Sequence, residues 1–310
     1  MRNVYVCAVL AVAAAMQACG YRPPRLPDGQ VDLQGVWSHT NITPLERPVD
    51  FRTLVITPRE AAELQTRILL RRENLRLPGE PTEYFSARSI EPIDGQFHSS
   101  VIVEPEDGKI PGNEHFETVL KAARVAVLNA FDGPEARPPA ERCLSAITAQ
   151  PPVTVMPSND LRQIVQTPQA IVISSEELHE ARIIRMNAKH GPATVVSWLG
   201  DSIGWWEGST LVIETKYFAP TSAARMGPLS EFFVGPNTTV TERITRTAVD
   251  ELRYQFTVDD PTYYTRPWKG ESRFGLTSEP IIEFACHEGN YSLPFVLMGA
   301  RAMDTRPPAP

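Results

Sequence analysis

The chain of 310 residues lacks most of the short motifs that give a function away. It has no Gly-Xaa-Ser-Xaa-Gly elbow, no phosphate-binding Gly-rich loop and no His-Glu-Xaa-Xaa-His pair, which removes the familiar hydrolase, nucleotide-binding and zinc-peptidase signatures. It has no basic cluster and a net charge of −7, so no nucleic-acid partner is expected. Past residue 16 no stretch is apolar over the about 20 residues that a membrane-crossing helix needs. Cysteine is scarce, with four in all. What is plentiful is proline, 29 residues spread along the chain, which predicts ordered loops and few long helices.

The N-terminus is tripartite. Arg2 precedes an uncharged run from Val4 to Met16, followed by Gln17-Ala18-Cys19-Gly20. A run of about 13 apolar residues has the length of a signal h-region rather than a membrane span. A small residue before a cysteine at that place reads as a lipobox, with Cys19 as the lipidated residue. Residues 1–19 are therefore expected to be a lipoprotein signal peptide, and 20–30 a Pro-rich tether. The protein is expected on the periplasmic side of the envelope, held to the membrane through Cys19, or secreted if not lipidated. Cys7 falls in the signal, which leaves Cys143 and Cys286. In an oxidising compartment these are a possible disulfide, the alternative being two buried thiols.

The hydrophobic share of 42% and charged share of 22% suit a folded globular chain. Val31–Ser38 reads as a first strand. Thr57-Pro58-Arg59-Glu60 is a helix start with a capping box, predicting a helix to about Leu75 with Ala61, Leu64, Ile68 and Leu69 on one face. A second helix is predicted from Glu114 to Phe131. Thereafter the pattern turns strand-like, at 163–166, 170–173, 177–186 and 205–213, in a hairpin of 239–247 and 252–258, and at 281–286. Strands at short intervals without intervening helices predict an antiparallel meander, and closure would remove its exposed edges. The expected fold is mainly β: an antiparallel calycin-like barrel or strongly curved sheet over 157–301. Two or three peripheral helices from the N-terminal half (31–156) would pack on it, and 302–310 would be a Pro-rich tail.

Pro27-Asp28-Gly29 with Leu33-Gln34-Gly35-Val36-Trp37, Gln163-Ile164-Val165-Gln166-Thr167-Pro168, His179 with Arg182-Ile183-Ile184, Trp198-Leu199-Gly200-Asp201-Ser202 with Trp206-Glu207-Gly208 and Thr210-Leu211-Val212, and Cys286-His287-Glu288-Gly289-Asn290-Tyr291 form a pattern. In these residues the chain resembles a group of uncharacterised secreted bacterial proteins, lipoprotein-like, found in soil and marine species. The resemblance implies a periplasmic β-barrel and carries no catalytic roles. Ile203 and Trp205 stand where the pattern has polar or basic residues.

Strand parity picks out candidate site residues. Glu242 shares a face with Val240 and Ile244, so it is an inward carboxylate if that face lines the barrel. Tyr254 belongs to the apolar face of the next strand. On 281–286 parity puts Glu283 and His287 on one face and Ile282, Phe284 and Cys286 in the core. His287, Glu288 and Asn290 would furnish polar groups at a barrel mouth, with Tyr291 beside them. Glu242, His287 and Arg182 are the candidate catalytic set: a carboxylate or imidazole to move a proton, a guanidinium to hold an anion. His179, Trp198, Trp205, Trp206, Tyr254, Trp268, Glu283, Asn290 and Tyr291 are candidate ligand contacts, the tryptophans as stacking platforms or as plugs of the barrel end. Asp201 before Ser202 reads as an Asx-turn. No metal site and no cofactor are expected.

Three functions fit: a lipid-anchored binder of a small hydrophobic or amphipathic molecule in a barrel cavity, an acid/base enzyme of isomerase, cyclase or lyase type at the barrel mouth, and an envelope scaffold. The first requires a barrel that is not filled by side chains. The second requires Glu242 and His287 to converge. The third, with the N-terminal helices as interface, would be favoured by a large exposed apolar patch on the helix from Glu60 to Leu75. The oligomeric state is left open.

Overall fold

Alternation with a period of two dominates the second half of the chain, and it is expressed as long strands with one buried and one half-exposed face. Along Thr239–Ala248 and Glu251–Asp259, Val240, Glu242, Ile244, Leu252, Tyr254, Phe256 and Val258 point inward and are buried. The computed structural model describes residues 21–75, 88–129, 131–154, 161–220, 224–227 and 230–304. The expected signal segment and Cys19 lie outside the described residues.

In chain order the strands are β1 (Gly35–Ser38), β2 (Val55–Ile56), β3 (Phe97–His98), β4 (Ile102–Glu104), β5 (Leu161–Gln166), β6 (Ala170–Ser175), β7 (Ala181–Met186), β8 (Asp201–Glu207), β9 (Thr210–Lys216), β10 (Ala224–Gly227), β11 (Ser230–Phe233), β12 (Thr239–Ala248), β13 (Glu251–Asp259) and β14 (Trp268–Thr277). The helices are α1 (Pro58–Leu75), α2 (Glu114–Asn129) and α3 (Ser292–Asp304). The main sheet runs β1-β5-β6-β7-β8-β9-β12-β13-β14 and closes through β1–β14 pairing, so nine strands form a barrel. β1 is short and covers only the last residues of β14 (Val36 opposite Thr277, Ser38 opposite Gly275). β4 pairs with the first part of β14, at Lys269 and Gly270.

The sequence reading holds for a closed, mainly β barrel and is corrected in three places. The barrel is not wholly antiparallel: β7 and β8 are parallel, Ile184 lying opposite Ser202, because residues 187–200 cross back to the starting end before β8 begins. The third helix does not come from the N-terminal half; α3 is C-terminal. Residues 281–286 are not a strand. With no neighbouring strand to pair with, they run as an exposed strap in which Ile282 is 64% and Phe284 42% exposed, so the parity argument had no sheet to act on.

The core is continuous through the barrel and out to α2, whose Phe116 and Leu120 pack with Phe233 and Tyr264. Two glycines are required by close approach. A Cβ on Gly270 would lie 2.2 Å from the Phe256 ring, and one on Gly204 would lie 2.7 Å from Ile184. α1 sits on a smaller separate cluster with Ile42, Ile56 and Ile90. Its capping box forms as read: Thr57 N–H donates to Glu60 Oε2 at 2.8 Å, and Glu60 N–H to Thr57 Oγ1 at 3.3 Å. Cys143 and Cys286 are joined by a disulfide that ties the strap to the segment before β5.

Candidate functional site

Inside the barrel the side chains meet at a polar centre. Arg182 on β7 reaches past β8 and β9 to Glu242 on β12 and grips both carboxylate oxygens, with Arg182 4% and Glu242 0% exposed. Tyr254 on β13 donates its hydroxyl to Glu242 Oε1 at 2.7 Å. Burial, reinforced by the Glu242 charge, holds the Tyr254 hydroxyl well above its usual range, so it stays a donor. Burial alone would lower the Arg182 pKa, but the Glu242 carboxylate more than offsets it and the net shift is upward. Near this centre His39 bonds to Ser272 Oγ at 2.7 Å and stacks on Phe274 at 4.3 Å. Burial, then the Arg162 charge, keeps it well below its usual pKa, hence neutral.

A void of about 10 Å³ remains at this centre, the size at which one water just fits. Trp37, Arg162, Ile164, Ile173, Arg182, Glu242, Ile244, Tyr254 and Phe274 line it from the strands, and Val153 lines it from outside them. The lumen is filled in this conformation, against the condition set for the binder, which therefore stands only if part of the filling can leave.

What fills it at one end is a length of coil. Ser145–Thr154 is buried throughout except for half-buried Ile147. Val153 N–H donates to the Tyr254 hydroxyl oxygen at 2.8 Å, and Arg162 donates to Thr148 O. The turn between β6 and β7 holds the same coil from the rim: Ala146 N–H donates to Glu180 Oε2 at 2.7 Å, and Thr148 Oγ1 to Glu177 Oε2 at 2.6 Å. Burial raises the Glu180 pKa against the lowering effect of the Ser145 hydroxyl and the Ala146 N–H. In the sequence this region carries no distinctive signal beyond the pair Pro151-Pro152.

The other candidates scatter. His287 and Glu283 are exposed on the strap. His287 therefore does not meet Glu242, which is inside the barrel, and the acid/base trio does not assemble. His179, in the β6–β7 turn, accepts from Phe284 N–H at 2.9 Å. Asn290 donates to Cys143 Sγ at 3.5 Å, and Tyr291 is 66% exposed. Trp268 is fully buried against Phe232, Phe256 and Tyr264 and belongs to the core. Trp206 points inward and reaches Gln30 at the opposite barrel end, whereas Trp205 turns outward and bonds Glu207. Trp198 is half-buried in the crossover before β8.

One cluster was missed in the sequence. His190 Nδ1 lies 2.8 Å from Asp201, and its Nε2 lies 3.0 Å from Glu214. Asp201 also accepts from Gly191 N–H and Arg185, which corrects the Asx-turn reading. Burial would raise the Asp201 carboxyl, but these donors outweigh it and the net shift is downward. The two carboxylates face opposite edges of the imidazole, so they cannot share one ion with it. No group of three or more His, Cys, Asp or Glu among the described residues is arranged to hold a metal. Nothing in the spacing of residues 190, 201 and 214 would have revealed the cluster, because the parallel crossover creates it.

No family model matches the chain, and no curated protein matches it in sequence. Among solved structures it is similar to a secretary abundant heat soluble (SAHS) protein from Ramazzottius varieornatus. The two share 10% identity over 53% of this chain and 87% of that one, with a TM-score of 0.25. The barrel described here rests on its own strand pairing, not on that likeness. No described helix is long and apolar enough to cross a membrane.

Proposed function

We propose that the protein is an envelope lipoprotein, anchored through Cys19, that holds a small hydrophobic or amphipathic molecule in the barrel lumen. The observation that carries this reading is the make-up of the central void: nine lining residues belong to strands, and the tenth, Val153, belongs to a coil that can leave without breaking a strand pair. Beneath it lie apolar walls and a polar floor of Arg182, Glu242 and Tyr254, the composition of a small-molecule site. An ion pair in a permanently filled core is often no better than apolar residues of the same volume, so its presence at this depth favours a role beyond stability. The test is native mass spectrometry of the full chain, oxidised and reduced, after incubation with a small-molecule extract of host envelopes. A stoichiometric adduct in either form supports the reading, and a clean apo mass in both overturns it.

A second reading, an envelope scaffold, is favoured by α3. Tyr291, at the threshold of the helix, and Phe295 and Met298 within it share an outward face and are 66%, 62% and 57% exposed, whereas Leu297 is buried beneath. Apolar side chains on the outward face of a surface helix mark interaction sites. α1, where such a patch was sought, exposes only Leu70 among its large apolar residues with described side chains.

A further inference from the structure

The plug, the strap and the β6–β7 turn form a closed mechanical circuit. The turn holds the plug through Glu177 and Glu180. The same turn holds the strap, with Ile282 N–H donating to Glu176 Oε1 at 3.0 Å and Phe284 N–H to His179 Nε2 at 2.9 Å. The Cys143–Cys286 disulfide joins strap to plug two residues before the plug begins. Inside the barrel, Val153 N–H donates to Tyr254 and Arg162 donates to Thr148 O.

We propose that Ser145–Thr154 is a redox-latched plug, and that the molecule replacing it is compact and apolar with a neutral hydrogen-bond donor, a hydroxyl or an amide N–H. The ligand half rests on the reading of the lumen as a binding site. The latch half stands without it. The donor requirement comes from what the plug leaves behind. When Val153 withdraws, the Tyr254 oxygen loses its donor, while its own proton remains committed to Glu242. The vacated position therefore needs a donor, because an unsatisfied buried oxygen is penalised. Arg182 already engages the Glu242 carboxylate, so that donor need carry no charge. Opening requires an external dithiol. It delivers two electrons and two protons to the Cys143–Cys286 bond, two thiols form, and the dithiol becomes a disulfide.

The test uses the full chain with and without dithiothreitol, a dithiol, well below its unfolding temperature. Hydrogen exchange reports the plug, and native mass spectrometry reports the binding of N-phenylnaphthylamine, an apolar probe with one N–H donor. On reduction the Val153 amide is expected to exchange about 100-fold faster while the β12 and β13 amides keep their rates, as for a local opening. One probe molecule then binds, and its N-methylated relative, which lacks the N–H, does not. Equal probe binding with the disulfide intact overturns the latch and leaves the lumen site standing. Faster plug exchange without probe binding overturns the ligand half and the proposed function with it, while the latch holds. Equal binding of the N-methylated probe overturns the donor requirement. Should Cys143→Ser/Cys286→Ser fail to fold, Thr148→Val in the oxidised chain loosens the same plug by removing the hydroxyl that bonds Glu177. Plug exchange about 10-fold faster is expected, and an unchanged rate counts against a plug held from the turn.

Discussion

The two ends of the barrel are both sealed by chain that is not strand, yet they are sealed in different ways. At one end the lead-in to β1 fills the opening. Val31, Leu33 and Trp37 are fully buried; Trp37 Nε1 donates to Leu33 O at 2.9 Å, Gln166 Nε2 to Val31 O at 3.0 Å, and Arg246 to Asp32 O at 2.7 Å while its guanidinium lies over the Trp37 ring. This seal continues directly into a strand that closes the barrel, so it cannot open without unzipping β1 from β5 and β14. At the other end the plug is small-residue coil, held by two carboxylates of a turn, by Tyr254 and Arg162 and by a disulfide. A seal made of large buried side chains is as stable as the core. A seal made of a few polar contacts opens at a fraction of the global stability.

That contrast can be broken by mutation. The largest effect is expected at the lead-in end: Trp37→Ala should destabilise the whole fold by about 4 kcal/mol, as truncation of a fully buried Trp does, seen as a shift in the denaturation midpoint with every amide affected. A purely local loosening there would show that the two seals are alike. Next comes the junction of plug and polar floor. Tyr254→Phe removes the donor to Glu242 and the acceptor for Val153 N–H, and a loss of about 2 kcal/mol is expected by chemical denaturation. If it costs nothing, the polar floor does not hold the plug.

The smallest effect is expected at the rim. Burial raises the Glu180 carboxyl above its unfolded value, so the folded state binds that proton more tightly. The corresponding stabilisation is full below the unfolded pKa near 4.5 and is lost as pH rises through the raised folded value. Glu180→Gln keeps an acceptor and abolishes the titration. Its Tm should differ from the parent by only about 2 °C at neutral pH, and its stability should vary less across the mildly acidic range. A parent whose stability profile there superimposes on that of the variant would remove Glu180 from the account.

Much of the fold could be read from the residues alone. The capping box at Thr57 and Glu60 and the β12–β13 hairpin are local features, and they form as read. The inward turn of Glu242 followed from parity within one strand. Parity failed at 281–286 because alternation there has no paired neighbour to enforce it. It also left β14 unread, because its inward positions include Gly270 and Ser272, too small to look like a buried face although Phe256 needs that space. Arg182, Glu242 and Tyr254 were each candidates, but their union was not legible, and neither was the distance of His287 from them.

By itself the sequence determined what depends on neighbours a few residues apart: the helix cap, the hairpin turn, the alternation that makes strands and the side of the strand on which Glu242 lies. Only the tertiary structure decided that β7 and β8 run parallel, that β1 closes the barrel, that Arg182 crosses the lumen to Glu242 and that the coil before β5 fills the space beside them. Those outcomes depend on which surfaces meet across separations of 18 residues (Ile184 to Ser202) to 241 residues (Val36 to Thr277). Local propensity is blind to such meetings, because burial and pairing are settled only when the whole barrel closes.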